Sequence, residues 1–297
     1  MEKFKGIDIS EMNGFIDFEK VAKEVDFVMI RASYGRYKED KNFKYNVEGC
    51  IKYNIPFGIY YYSYALSEEQ GKEETKNLLN IIRPYLNKIS YPVVIDMEDS
   101  DGYKKNNGFP PDNELVKICS NFINDIKALS LMPSVYASAS WFKDILKGLP
   151  ECIKWIAWWK VKEEKINKDK YKIWQYTSEG EVQGIKGNVD LSYSYVDFKK
   201  LTEYLRNVEK IGFIKLKTGL EDLTIQYMSC YKWGQDLINK IYERLKKPVI
   251  KKSEEDINVI IQKEFNLEDK TMNFLSWYVY GEALFLKLYR AICEEEE

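Results

Sequence analysis

The sequence predicts a mixed α/β chain, with a closed barrel of eight strands followed by a small all-α C-terminal domain. Three observations carry this. Short apolar, β-branched runs alternate five times with helical patterns through Lys147, and each return to a parallel strand needs about a dozen residues of crossover. Three more strand-like runs, Lys154–Trp159, Lys172–Tyr176 and Gly187–Leu191, follow with too little sequence between them for helices. From about Gly219 the pattern is helical only.

In chain order, residues 4–9 form a first strand that delivers Asp8 near its end, and Asp17–Val25 reads as a brief helix. Asp26–Ser33 is a second buried strand, and Lys41–Tyr53 a helix with Phe43, Val47, Cys50 and Ile51 at helical spacing. Pro56–Tyr64 is the third strand. Ser67–Leu86 is a long helix opened by a capping box of Ser67 with Gln70. The fourth strand, Tyr91–Asp96, is short, begins at a proline and is rich in Val and Ile. A polar loop, 101–111, precedes a helix over Asp112–Leu129. Ser134–Ser138 is the fifth strand, with a short helix over Trp141–Lys147.

The expected domains are a barrel over 1–203, a linker over 204–218 and a helical domain over 219–297. In the last, Trp233, Leu237, Ile241 and Leu245 form a helical stripe, and Ser253 to Asp256 reads as a capping-box start. Leu267–Cys293 reads as one long helix, apolar nearly all round, so it should be buried in a bundle or against a second copy. No internal repeat stands out. The tail Glu294–Glu297 reads as solvated.

Composition narrows the chemistry. The chain has no histidine, which removes Ser-His-Asp and Cys-His catalysis and most zinc sites and leaves carboxylates as acid–base groups. A net charge of −2 carries no nucleic-acid footprint. The five cysteines are scattered without CxxC spacing and read as buried thiols. No metal or cofactor is implied. No run reaches membrane-spanning length, and the N-terminus lacks the apolar segment of a signal peptide. Synthesis in the cytoplasm, with another agent supplying the route outward, is the expectation.

The fourth strand runs into Asp96 and Glu98. Side chains two apart on a strand share a face, roughly 6.6 Å apart. Two carboxylates forced together push one pKa upward, which leaves one proton donor and one anion, a pair suited to acetal cleavage. In a parallel barrel the functional groups lie at the C-terminal strand ends. Asp8, Tyr34, Tyr64, Asp96, Glu98, Tyr136, Trp158 or Trp159, Gln175, Tyr176 and Asp190 all fall at or near such ends. For the aromatic residues, Tyr62 included, the alternative is core packing. Arg31, inside a buried strand, needs an acidic partner, and Asp99 points away from Glu98 and reads as structural.

Seven blocks then resemble, in order, the glycoside hydrolase family 25 lysozymes, the Chalaropsis-type muramidases common among phage endolysins. They are GIDIS from Gly6, FVMIRASYG from Phe27, GIYYYSYA from Gly58, VIDME from Val94, YAS from Tyr136, IWQYTS from Ile173, and GI with GNVDL between Gly184 and Leu191. The resemblance covers two thirds of the chain and implies an irregular (β/α)5(β)3 TIM-like barrel. It implies hydrolysis of the β-1,4 bond between N-acetylmuramic acid and N-acetylglucosamine of bacterial peptidoglycan. Glu98 would be the proton donor and Asp96 the stabiliser of an oxazolinium-like intermediate formed by the substrate's own N-acetyl group. Asp8 and Asp190 would shape the cleft floor, with Tyr34, Tyr62, Tyr64, Tyr136, Trp158, Gln175 and Tyr176 as substrate contacts. The expected setting is a phage or prophage enzyme released at host lysis. A catalytically silent wall-binding protein on the same barrel is the rival reading. An enzyme acting on phosphorylated metabolites ranks below both, because no Gly-rich phosphate loop precedes a helix. By position, the helical domain should bind cell wall, or join copies of the chain.

Overall fold

The computed structural model describes residues 2–251 and 254–293. Two compact units divide the chain, Met1–Thr202 and Glu203–Glu297. In chain order the first contains β1 (Phe4–Ile9), α1 (Phe18–Val21), β2 (Phe27–Tyr34), β3 (Lys38–Glu39), α2 (Phe43–Lys52), β4 (Phe57–Tyr62), α3 (Glu68–Ile82), β5 (Val93–Asp96) and α4 (Tyr103–Asn106). It continues with α5 (Asp112–Ala128), β6 (Pro133–Ser138), α6 (Ala139–Asp144), β7 (Ile153–Ala157), β8 (Ile173–Gly180) and β9 (Val189–Ser194).

Eight of these strands close a ring in the order β1-β2-β4-β5-β6-β7-β8-β9, with β3 added outside as a two-residue hairpin partner of β2. All neighbours from β1 round to β8 are parallel. Strand β9 is reversed and pairs antiparallel with both β8 and β1. The reversal corrects one expectation. Asp190 lies at the N-terminal end of β9, not the C-terminal end, and reaches the same mouth because the strand runs the other way.

Strand alternation sorts the side chains into two layers. Val28, Ile30, Ile59, Ile95, Val135 and Ile156 face outward onto the helices. Phe27, Met29, Val94, Trp155 and Ile173 face inward, with Tyr91 and Phe198 in the same cluster. Phe27 stacks on Tyr91, ring centroids 4.4 Å apart. Gly6 makes that stack possible: a Cβ there would stand 2.2 Å from the Phe27 ring. The helix over 67–86 is shorter than expected. It ends at Ile82 and tightens into a 3-10 turn at Pro84, which cannot continue the hydrogen-bond ladder. Ser67 does cap it, accepting from the Gln70 N–H.

The second unit takes in α7 (Phe198–Thr218) from Glu203 onward, then α8 (Asp222–Ser229), α9 (Gly234–Leu245), α10 (Ile257–Glu264), α11 (Asp269–Ser276) and α12 (Gly281–Ile292). Residues 204–218, expected as a linker, lie inside α7, and Ile211, Phe213 and Ile214 join the second core. The expected long helix over 267–293 is two helices. The run Trp277-Tyr278-Val279-Tyr280, poor in helix formers, turns before Gly281, where a Cβ would meet the Leu275 carbonyl at 2.7 Å. Nor is α12 left apolar all round. Leu284, Phe285, Leu288 and Ile292 are buried in their own unit, while Glu282 and Arg290 face out. The Ser253 cap and the tail 294–297 lie outside the described residues; Asp256 caps α10 by accepting from the Asn258 N–H. Among the cysteines, Cys230 is exposed, against expectation.

The helices also expose a repeat. Leu220-Glu221-Asp222-x-Thr224, Ser229-x-Tyr231-x-x-Gly234, Leu237, Lys240 and Tyr242 recur as Leu267-Glu268-Asp269-x-Thr271, Ser276-x-Tyr278-x-x-Gly281, Leu284, Lys287 and Tyr289. Helices α8 and α11, and α9 and α12, correspond residue for residue. Gly219 and Asn266 enter both copies with positive φ, +64° and +50°. The copies face each other reciprocally, as in a two-fold dimer. Thr224 Oγ1 meets Tyr278 Oη at 3.2 Å, and Tyr231 Oη meets Thr271 Oγ1 at 3.3 Å.

Gly6→Ala should cost about 1–3 kcal/mol through displacement of the Phe27 ring, read as a lower urea midpoint. An unchanged midpoint would show that the ring can retreat without loss.

Candidate active site

The mouth of the ring at the C-terminal ends of its parallel strands holds a cleft of ≈ 930 Å³. Asp8, Asp96, Glu98 and Asp190 all line it. Each arrives for a local reason. Asp8 and Asp190 are register partners across the β1–β9 ladder. Asp96 ends β5 on the inward parity, and Glu98 follows where the strand has stopped. Asp96 is buried, whereas Glu98 is half-buried and reachable from the cleft.

A hydrogen-bond chain crosses the floor. Gln175 Nε2 donates to Asp8 Oδ2 at 3.0 Å, and Gln175 Oε1 accepts from Tyr136 Oη at 2.9 Å and from Trp159 Nε1 at 3.0 Å. Asp96 Oδ1 is buried without a hydrogen-bond partner among the described residues. Such an atom is costly to keep.

Burial pushes all four carboxyls above their usual range. Asp8 is raised well up, first by desolvation and then by the Asp190 charge. Asp190 is raised by desolvation, partly offset by a hydrogen bond from Asp8. Asp96 is raised well up by desolvation, then by the Glu98 charge. Glu98 is raised by desolvation and pulled back by Ser100 and Lys104. The four therefore titrate as a group and hold protons that isolated carboxyls would lose.

One cation sits beneath them. Lys104 is buried completely, and its Nζ donates to the Ser63 and Glu98 main-chain carbonyls. Its charge opposes the upward shift of both Asp96 and Glu98. Asp99, expected to be structural, accepts from the Lys104 and Lys105 N–H groups and so shapes this loop. Arg31 finds its acid, as expected: its Nε donates to Asp40 Oδ2 at 2.8 Å. It also lines the cleft.

Of the aromatic candidates, Tyr62, Tyr136 and Trp158 line the cleft with Gln175. Three others do not. Tyr176 is adjacent to inward Gln175 on β8, so it points outward and stacks on Tyr193 at 4.6 Å. Tyr64 lies beyond the end of β4, where it packs on Tyr103 and donates to Asp101 Oδ2 at 2.7 Å. Tyr34 stands under the Arg31 guanidinium and donates to Glu11 Oε1. Both Tyr34 and Tyr64 line a neighbouring pocket of ≈ 430 Å³. Reasoning from sequence missed Tyr60, Ser138 and Trp155 in the cleft wall. Parity would have found two of them, as Tyr60 is two residues from Tyr62 and Ser138 two from Tyr136.

A family model described as "Glycosyl hydrolases family 25" matches residues 7–185, more than half of the chain. An autolytic lysozyme of Clostridium acetobutylicum is 28% identical over 192 residues, covering 63% of this chain and 54% of that protein. The modular autolysin LytC of Streptococcus pneumoniae has a similar structure, with a TM-score of 0.59 and 32% identity over 65% of this chain and 47% of that one. The CTP1L endolysin is similar with a TM-score of 0.54 and 25% identity, covering 69% and 70% of the two chains. The chain thus spans about half the length of the first two relatives.

Two expected outcomes follow from the electrostatics. A carboxyl with a raised folded pKa stabilises the fold below its unfolded value, about 4, and that contribution is lost as pH rises through the folded pKa. Asp8→Asn keeps a neutral donor beside Asp190 without this loss. Its Tm should match the parent near pH 3 and exceed it increasingly above pH 4; a constant offset at all pH values would contradict the shift. Lys104→Met removes the cation below the acids. The alkaline limb of its pH–rate profile should move upward, because Asp96 and Glu98 then hold their protons longer, while Lys104→Arg should restore part of the parent profile. A lower rate with an unmoved profile would reduce Lys104 to a packing role.

Proposed function

Because the chain belongs to the glycosyl hydrolases of family 25, we propose that it is a peptidoglycan muramidase that cleaves the β-1,4 bond between N-acetylmuramic acid and N-acetylglucosamine. The observation that carries this reading is the meeting of Asp8, Asp96, Glu98 and Asp190 in one cleft, with one acid reachable and its neighbour buried beneath.

In this mechanism Glu98, protonated through burial, gives its proton to the glycosidic oxygen as the C1–O bond breaks. The N-acetyl oxygen of the substrate attacks C1, so no protein carboxylate is needed as nucleophile, a known exception to the two-carboxylate scheme. Asp96 in its ionised form, the one proton of the coupled pair having started on Glu98, stabilises the positive oxazolinium that forms. Water then adds at C1 and returns a proton to Glu98. Asp8 and Asp190 hold the floor in a single protonation arrangement through Gln175. Tyr62, Tyr136 and Trp158 present ring faces or hydroxyls to sugar.

The same reading extends to setting and anchoring. Likeness to an endolysin and to autolysins supports a wall-lytic role, and we place the chain in a phage or prophage lysis system. No helix among the described residues is long and apolar enough to cross a membrane. For the helical unit, wall binding is favoured over joining copies of the chain, since the apolar face of α12 is covered within its own unit. A silent binding protein on this barrel is disfavoured because all four acids are in place.

Digestion of purified peptidoglycan followed by mass spectrometry tests the activity. Products should carry reducing-end muramic acid; reducing-end glucosamine or cut peptides would refute the reading. Glu98→Gln should lower turnover at least about 10²-fold with a Tm no lower than the parent's and unchanged wall retention, and near-normal turnover would remove Glu98 from the donor role.

A further inference from the structure

The duplicated helical unit carries a row of aromatic rings that the barrel chemistry does not use. Tyr231 stacks on Phe274 at 4.2 Å, Phe274 on Tyr227 at 4.5 Å, and Tyr227 on Tyr278 at 4.3 Å. Trp233 stands edge-on to Tyr231 at one end, and Tyr280 edge-on to Tyr278 at the other. The row is palindromic: exchanging the two sequence copies maps Tyr231 onto Tyr278, Tyr227 onto Phe274 and Trp233 onto Tyr280. Its middle is half-buried and holds the copies together. Its ends are open, with Trp233 41% and Tyr280 58% exposed. Packing explains the middle four rings but not the partial exposure of the two end rings at equivalent turns.

We propose that the two ends are paired saccharide sites, each stacking one pyranose ring of the same wall polysaccharide. The proposal rests on the reading of the barrel as a peptidoglycan hydrolase and deepens it. Three features select a glycan. An aromatic face offers a sugar ring a flat apolar contact, while its rim supplies polar groups. Lys270 Nζ and Lys232 Nζ lie over the Trp233 ring, 4.3 Å and 4.9 Å from its centroid, where they can donate to sugar hydroxyls. Duplicated sites also suit a ligand that itself repeats. Two weak contacts on one chain then combine, with an avidity gain that can reach 10²–10⁴-fold. The two copies differ in chemistry: Leu223 of the first corresponds to Lys270 of the second, and Cys230 to Trp277.

The test uses the full chain carrying Glu98→Gln, so that the wall is not digested, and measures retention on insoluble purified peptidoglycan. Trp233→Ala and Tyr280→Ala should each raise the half-saturating concentration about tenfold or more, and the double variant should lose the contribution of the unit entirely. Far-UV circular dichroism and Tm should stay at the parent's level, because both rings are exposed. Unchanged retention of the double variant overturns the proposal. So does a single variant as weak as the double, which would mean one composite site, or a parent dimer in light scattering that dissociates in the double variant. Release of reducing sugar by the unsubstituted chain is followed in parallel. If no sugar is released, the muramidase reading fails; if sugar is released and the double variant binds like its parent, only the paired-site proposal fails.

Discussion

The barrel's chemistry depends on one reversed strand. A ring whose last strand ran parallel would carry Asp190 to the wrong mouth. Reversal of β9 lays it antiparallel against β1, so that Asp190 faces Asp8 across a single rung and both stand beside Asp96 and Glu98. Closure therefore does two things in one step. It removes the open edges of the sheet, and it collects four acids from three separate segments into one low-dielectric space.

Collecting them there carries an electrostatic cost. Each carboxyl is held above its ordinary range by desolvation and by its neighbours. The fold limits that cost with few devices. A hydrogen bond from Asp8 to Asp190 offsets part of their mutual repulsion, and Gln175 holds the arrangement with donors and acceptors from three strands. Lys104 places one positive charge under the pair Asp96 and Glu98 while making its hydrogen bonds to main-chain carbonyls, not to the acids. A direct ion pair would lower the pKa of Glu98 further and take away the proton that the proposed cleavage needs. A buried cation one shell away moderates the shift without abolishing it.

The helical unit solves a different problem. It is small and built twice from one sequence pattern, and its copies bury their apolar faces against each other through a self-complementary contact. Its two copies retain the Leu-Glu-Asp entry, the Thr–Tyr pair and the turn glycine, the parts that the contact requires. They differ at positions such as Cys230 and Trp277, which the contact does not touch.

Much of this was legible in the sequence. Alternating strand and helix patterns determined the count of eight strands. The Val-Ile run before Asp96 determined a buried strand ending in acids, and the absence of histidine limited the chemistry to carboxylates. Local signals suffice there because strand parity and helix period are properties of a few neighbouring residues. Other features needed the folded chain. Tyr176 and Gln175 both sit near a strand end, yet only one can face the cleft. Tyr34 and Tyr64 are turned aside by Glu11, Tyr103 and Asp101, partners distant in sequence. The direction of β9 was likewise decided by tertiary pairing. The meaning of the 220–242 repeat emerged only when its copies were seen facing each other. Such features depend on which distant segment lies opposite, and a single strand or helix carries no record of that.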